Sequence, residues 1–538
     1  MNEEFVVEEV EIQPDPERVI EGLRDTGYSF NTAMADILDN SIAANATKVF
    51  IHIESDPNRT LTVTIADDGC GMNQLELQNA MRYGSSRRNS PDSLGKFGLG
   101  LKTASTSFCR SLSLISRSRE DDQYRKIQWD LDYVAQSGKW LTKLLQPTED
   151  EIDYLQEAAG DSHGTLVSWE KIDRLFTREY KTQSAYNKHL TKLIDELKFH
   201  LSMTFQRFLD KEFTSAANID ICVNGEFLQP WDPFKFGRKL LDEPMDIEFG
   251  EGEDGTVARL EHRAYCLPRY EELASKEDRK YAKISNETQG FYIYRENRLI
   301  HNGGWLGLFT LEPHYSLLRV ELSFDHQLDE ILHIDIKKSR ILMHDYLADA
   351  IKNCLKPARK AATDSYREGQ KQRVKARAQD THQASNNNIE GKAAEVEQSS
   401  VKPLNSNEAE IKNKLGTVVS KFKIRQEQKK GELRVVPVSS IESGYLWSPC
   451  LVDGRHAIEL NTSHPYYQKI YFPLRENSAI VTGMDALLWA MAEAEVSNFN
   501  EQTRQQYEDM RNDVSRILTR LIADLPEPDV ADETGEND

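Results

Sequence analysis

The 538-residue chain has no uninterrupted apolar run near the roughly 20 residues that a membrane-crossing helix needs. Cysteine is sparse, with only Cys70, Cys109, Cys222, Cys266, Cys354 and Cys450. None of these pairs has CxxC or zinc-site spacing, and the scatter suits free thiols in a reducing compartment. Net positive charge is also missing. Lys and Arg number 67 against 88 Asp and Glu, a formal charge of −21. Such a surface as a whole repels nucleic acid, so any DNA contact must use a local basic patch. The opening M-N-E-E-F-V-V-E-E-V is acidic and lacks the basic-then-apolar pattern of a secretory leader. These absences lead us to expect a cytoplasmic protein without a membrane partner, holding about three domains at roughly 150 residues each.

What is present concentrates between Asn31 and Ser105. Met34, Ile37, Leu38 and Ile42 recur at helical spacing, and Asp36 and Asn40, four apart, share one face of that helix. An amide oxygen is a hard neutral ligand suited to Mg2+, which takes few protein ligands besides water and phosphate. A carboxylate one turn earlier can hold an attacking water. Taken alone, this face could equally be the solvated side of a core helix. Leu61 to Ile65 then alternate as a half-buried strand that runs into Asp67-Asp68-Gly69-Cys70-Gly71. An acid there can accept the exocyclic amine of adenine, and Gly69 and Gly71 allow close backbone approach to the ring. A lone D-x-G-x-G is also a common strand-to-loop turn. The third stretch, G-K-F-G-L-G-L-K-T-A, places Gly95, Gly98 and Gly100 before an apolar helical run, with Lys102 adding charge. Free N–H groups at such a start face phosphate. No strand leads into it, so the dinucleotide-fingerprint reading lacks its required context.

In order and spacing these three segments resemble the GHKL ATPases of the Bergerat nucleotide fold, and most of all the MORC and MutL-like members. Asp36 to Ile51 resembles the MutL N-box with its following strand, and G-K-F-G-L-G-L-K-T-A-S resembles the MORC glycine box. Arg82 to Arg87 falls where those families carry an ATP lid. His163 to Trp169 resembles their last nucleotide-site strand, whose threonine joins the adenine network. The resemblance covers most of residues 20–345. It implies that ATP and Mg2+ are the cofactors, that Asp36 positions the water, that Asn40 is the metal ligand, and that Asp67 selects adenine. It extends the nucleotide site to Met72 and Thr165, to Ser85 and Ser86 in the lid stretch, and to Phe97, Leu99 and Thr103 of the glycine box. It also implies a transducer domain whose lysine reaches the γ-phosphate. H-I-D-I-K-K-S-R-I, His333 to Ile341, matches that position, with Lys338 preferred and Lys337 second; two surface lysines at a strand end are the plainer alternative.

Two departures stand out. The family's water-activating acid is normally Glu, and Asp36 is shorter by one methylene, roughly 1.5 Å. Ala43 also stands where the family carries another acid after the N-box. Slow turnover is the expectation, with nucleotide binding the safer of the two activities.

The implied fold class is α+β. A Bergerat ATP-binding α/β sandwich, 1–218, carries helices on one face of an antiparallel or mixed sheet and ends in a helical extension. A ribosomal-S5-like transducer domain follows at 219–350, with a strong hairpin turn at Asn224-Gly225 and a weaker one at Glu296-Asn297. Residues 351–435 are expected to be a basic, low-complexity linker. A small α+β C-terminal domain, 436–525, suits dimerisation or partner docking through the apolar stripes of its two helices. Residues 526–538 are an acidic tail expected to be disordered.

The function expected from this is an ATP-driven molecular clamp. It would pair as a homodimer when ATP is bound, hydrolyse ATP slowly, and work in a DNA-related process such as repair, defence against foreign DNA or chromosome organisation. The basic linker clusters would reach the DNA. A chaperone-like ATPase clamping a protein client is the alternative, favoured by the acidic surface. A histidine-type kinase fits poorly, for no helical histidine donor precedes the N-box.

Overall fold

The computed structural model describes residues 14–25, 27–82, 100–176, 180–242, 244–249, 256–329, 345–425, 434–441 and 444–525. The expectations for Ser85, Ser86, Gly95, Phe97, Gly98, Leu99, Lys337, Lys338 and the acidic tail lie outside them.

The first part is built on a mixed eight-stranded sheet in the order β5-β4-β3-β6-β2-β1-β7-β8. Its strands are β1 (Lys48–Ser55), β2 (Leu61–Asp67), β3 (Cys109–Ser118), β4 (Asp121–Asp130), β5 (Lys143–Leu145), β6 (Gly164–Ile172), β7 (Asp220–Val223) and β8 (Glu226–Phe227). Its helices are α1 (Pro16–Arg24), α2 (Phe30–Ala43), α3 (Gln74–Ala80), α4 (Gly100–Thr106), α5 (Leu131–Ser137), α6 (Glu149–Ala159) and α7 (Gln183–Thr204). Strand β1 alternates as its sequence does, with Val49, Ile51 and Ile53 buried, because successive strand side chains point to opposite faces. Strand β2 is central and nearly every residue in it is buried.

Both faces of this sheet are covered, where the sequence suggested one. Val49, Ile65, Leu114 and Val167 share a core with α2 and α7. Their chain neighbours Ala66, Ile115 and Leu166 point the other way and pack on Leu155 and Ala158 of α6. The sheet also runs past the expected boundary at residue 218. Strand β7 pairs in parallel with β1, Lys48 opposite Asp220 through Ile51 opposite Val223. The hairpin from β7 to β8 turns at Asn224 and Gly225, both at positive φ, as a two-residue N-G loop demands.

A second, six-stranded sheet comprises β9 (Arg238–Asp242), β10 (Met245–Phe249), β11 (Thr256–Cys266), β12 (Gly290–Arg295), β13 (Arg298–Asn302) and β14 (Leu318–Phe324). Strands β12 and β13 meet at Glu296-Asn297, again both at positive φ. The sheet is sealed by a 37-residue helix, Asp345–Thr381, and this corrects the expected linker. Leu347, Ile351, Leu355, Ala358 and Ala362 recur at helical spacing and are buried in the core of the second sheet. Lysines and arginines on the other faces had masked that stripe in the sequence.

The rest of the expected linker is structured as well. The Gln383–Val396 helix is followed by a three-stranded antiparallel sheet over Ser400–Pro403, Glu408–Asn413 and Gly416–Lys421. Ile389 and Val435 sit in one core with Trp447, Ile458, Leu460, Tyr467, Tyr471 and Trp489. The C-terminal block therefore gathers residues from 383 onward, not from 436. Its two last helices are Ser478–Val496 and Glu501–Leu521. No helix among the described residues is long and apolar enough to cross a membrane.

Candidate functional site

Helix α2 is capped by the Ser29 hydroxyl, which accepts from the Thr32 N–H, as N-caps do. It is a core helix rather than a half-solvated one, and Asp36 and Asp39 are buried in it at 7 % and 2 % exposure. The carboxylate of Asp36 is gripped from two sides. The Tyr28 hydroxyl donates to Oδ2 at 3.0 Å, and the Arg298 guanidinium donates to Oδ1 at 3.2 Å. The Arg298 Nε also donates to Asp39 Oδ1 at 2.7 Å. Asn40 turns its amide nitrogen onto the Asp36 carbonyl at 3.0 Å. Of the two side-chain atoms, the amide oxygen is the one whose chemistry suits a hard cation.

The neighbouring Ser41 joins α2 to the end of β2. Its hydroxyl donates to Asp67 Oδ2 at 2.7 Å, while the Gly69 N–H donates to Oδ1 at 3.0 Å. Burial pushes the Asp67 carboxyl up to about 6, opposed by these two donors. A buried acid with spare lone pairs suits an amine donor such as the adenine edge.

Asp67 lies opposite Thr165 across β2 and β6. The Ser116 hydroxyl donates to the Gly164 carbonyl at 2.7 Å, accepts from the Met72 N–H at 2.9 Å, and lies 2.9 Å from the Thr165 hydroxyl. Asp67, Gly69, Met72 and Thr165 are thus brought together, with Ser41 and Ser116 as members the motifs did not reveal. Gly71 is needed for a reason other than ligand approach. Its φ is +68°, and a Cβ there would sit 2.0 Å from the Arg117 carbonyl oxygen. At Gly69 a Cβ would meet Ala44 Cβ at 2.8 Å.

Helix α4 begins at Gly100 and leans on α2. Thr103 hydrogen-bonds the Tyr28 hydroxyl, so Tyr28 bridges α2 and α4. Lys102 departs from expectation. It is buried, and its ammonium donates to the Ala80 carbonyl at the end of α3 at 2.8 Å. Burial lowers it to about 8. In this structure Lys102 ties α4 to α3, because a cation near a helix C-terminus meets both carbonyls and dipole. Ala43 leaves no acid at the end of α2.

The donor set fits Mg2+ carried in with a nucleotide, since Asn40 supplies one oxygen and Mg2+ keeps most of its shell as water and phosphate. Among the described residues no group of three or more His, Cys, Asp and Glu side chains could hold a metal by itself.

Residues 28–165 match the family model described as histidine kinase-, DNA gyrase B- and HSP90-like ATPase, which bears out the GHKL resemblance of the motifs. Protein MICRORCHIDIA 6 of Arabidopsis thaliana is 32% identical over 233 residues, 40% of this chain and 33% of that protein. The human protein called ATPase MORC2 is 28% identical over 92 residues, 16% of this chain and 9% of its own length. The chain thus spans about a third or less of the curated relatives it matches. A crystal structure of the N-terminal domain of a DNA repair protein superposes with a TM-score of 0.39 at 14% identity, covering 66% of this chain and 98% of that one.

Proposed function

We propose that this protein is a Mg2+-dependent ATPase that works as a molecular clamp: ATP binding pairs two copies, and slow hydrolysis releases them. The observation that carries the reading is the Ser41–Asp67 bond. It bolts the helix bearing Asp36 and Asn40 to the buried acid that would select adenine. A water-positioning group, a metal ligand and a base-selecting group therefore share one wall, in the part of the chain that matches the ATPase family model.

In this mechanism Asp67 accepts the adenine amine, with Thr165, Met72 and Gly69 shaping the base pocket. Bound Mg2+ supplies charge neutralisation of the phosphates. Asn40 presents its oxygen to the metal, and Asp36 orients water toward the γ-phosphorus and takes its proton. Gly95, Gly98 and Gly100 present backbone N–H groups to phosphate, with Ser85, Ser86, Phe97, Leu99 and Thr103 completing the enclosure. Lys338, or Lys337 beside it, approaches the γ-phosphate. The second sheet with its sealing helix acts as the transducer. Two features of the C-terminal block suit it to pairing or partner docking: Leu487 and Leu521 are 62% and 73% exposed on its last two helices.

The cargo we assign is DNA, with the protein acting in the cytoplasm. The likeness to MORC proteins supports this by family analogy. So does the position of Lys352, Lys356, Lys360 and Arg367 on one side of the Asp345–Thr381 helix, a stripe that can meet phosphates. The net charge of −21 favours the second reading, a clamp on a protein client.

Titration of the full chain with a non-hydrolysable ATP analogue and Mg2+, followed by its mass in solution, tests the proposal. Binding with a doubling of mass is expected; no heat and no thermal shift would overturn it. Retention on duplex DNA that falls with salt and with neutralisation of those four basic residues separates the two cargoes.

A further inference from the structure

We infer that Arg298 is the positioning residue of the hydrolytic centre: from the second sheet it sets the Asp36 carboxylate, so that turnover depends on how that sheet is seated. This rests on the ATPase reading above and adds a residue that none of the three motifs contains.

Asp36 and Asp39 lie three apart on α2, both nearly excluded from water. Two buried carboxylates so close require a cation with matching hydrogen bonds. It comes from β13, 262 and 259 residues away along the chain. The guanidinium, itself 4% exposed, spans both acids with two different nitrogens, a fork that a lysine point charge cannot copy. Tyr28 meets the other oxygen of Asp36. With a donor on each oxygen, the carboxylate plane has one orientation.

Arg298 follows the Glu296-Asn297 turn, and that turn is fastened in both directions. The Asn297 amide donates to the Ser215 carbonyl at 2.9 Å and accepts from Arg207 at 3.4 Å. Across the turn, Arg295 forms a two-pronged pair with Asp329 at 2.6 and 2.8 Å. One hairpin end is thus bonded both to the acids of α2 and to Asp329 just beyond β14. A shift of the second sheet moves both attachments together.

Among the described residues, the groups that face Asp36 and its cation include Tyr28 from the preceding loop, Asp39 on the same helix, and His200 of α7, which lies in the field of Arg298. His200 is held down to about 4 by burial first and by Arg298 second, so it is neutral near pH 7.

The test uses the full chain with Arg298→Lys, which keeps the charge, and Arg298→Gln, which removes it. For each, analogue affinity, kcat, KM, the pH dependence of kcat and the melting temperature are measured. Arg298→Lys is expected to bind the analogue within about threefold of the parent while kcat falls on the order of tenfold or more, as misplaced catalytic groups do. Arg298→Gln, which removes the charge as well as the fork, is expected to lower kcat at least as far while analogue affinity stays within about threefold of the parent. A folded Arg298→Lys protein with parental kcat overturns the assignment, even if its melting temperature drops. Equal losses of affinity and kcat overturn it too, as collapse of the pocket. A parent chain that neither binds nor hydrolyses ATP removes both this assignment and the ATPase reading, whereas an active parent matched by both variants removes this one alone.

Discussion

Two regions of this molecule bury acids, and they do so differently. In the C-terminal block the partners are local and closed. Asp485 accepts from His382 at 2.6 Å, with Tyr467 2.9 Å from the other ring nitrogen, and both His382 and Asp485 are completely buried. Glu493 pairs with His456, and Glu495 with Arg511 at 3.0 Å. These groups join helix to helix and helix to sheet within one core. In the first part, Asp36 and Asp39 draw their cation from another sheet, and Asp67 is held by the Ser41 hydroxyl and the Gly69 N–H while its carboxyl is pushed up by burial. A buried acid held by its own core stabilises that core. A buried acid whose cation belongs to another body couples the two, and one held by hydroxyl and N–H donors alone keeps capacity for a ligand.

The sharpest way to break the contrast is at Asn40 and Asp36. Asn40→Ala should lower Mg-ATP affinity on the order of a hundredfold, seen by calorimetry with and without Mg2+. Asp36→Ala should leave that affinity nearly intact and cut kcat by roughly 10² to 10⁴. Asp36→Glu should turn over faster than the parent if the short side chain limits the rate. Hydrolysis by Asp36→Ala at the parental rate would mean that the acid of α2 is as structural as those of the C-terminal block.

The mirror experiment is Asp485→Ala. Leaving His382 buried without its carboxylate should cost about 3 kcal/mol of stability, read by denaturant unfolding of the full chain, with analogue affinity unchanged under conditions where it stays folded. A large loss of ATP affinity in the folded protein would show that the two regions are not independent.

The smallest effect concerns pH. The folded carboxyl of Asp67 lies at about 6 against an ordinary 3.8, so the native state takes up this proton first as pH falls. On its own this group makes folding more favourable as pH falls from about 6 toward 3.8, and less favourable as pH rises through that window. Binding runs the other way, because an ionised acid is the better acceptor. Analogue affinity should fall severalfold from pH 7.5 to 5.5, and Asp67→Asn should flatten that slope. An equal slope in Asp67→Asn would remove Asp67 from the adenine network.

Much of this was legible in the chain. The periodicity of Met34, Ile37, Leu38 and Ile42 placed α2, alternation placed β2, and Asn224-Gly225 placed a hairpin, because each signal lies within a few residues. The motif order also picked out Asp67, Gly69, Met72 and Thr165, which the fold brings together. Other features were hidden. The stripe of Leu347, Ile351 and Leu355 was diluted by basic residues until it read as a linker. Lys102 looked like a phosphate ligand, yet its ammonium is turned onto the Ala80 carbonyl. The roles of Ser41, Ser116 and Tyr28 come from partners brought close only by the sheet and by α4.

The sequence alone determined α2, β2, the β7–β8 hairpin and the chemical types they carry, since those follow from near-neighbour spacing and from the groups each side chain bears. Tertiary structure alone decided which cation answers Asp36. A guanidinium some 260 residues away leaves no trace in local pattern, and only the packing of the β12–β13 hairpin against α2 brings charge to charge.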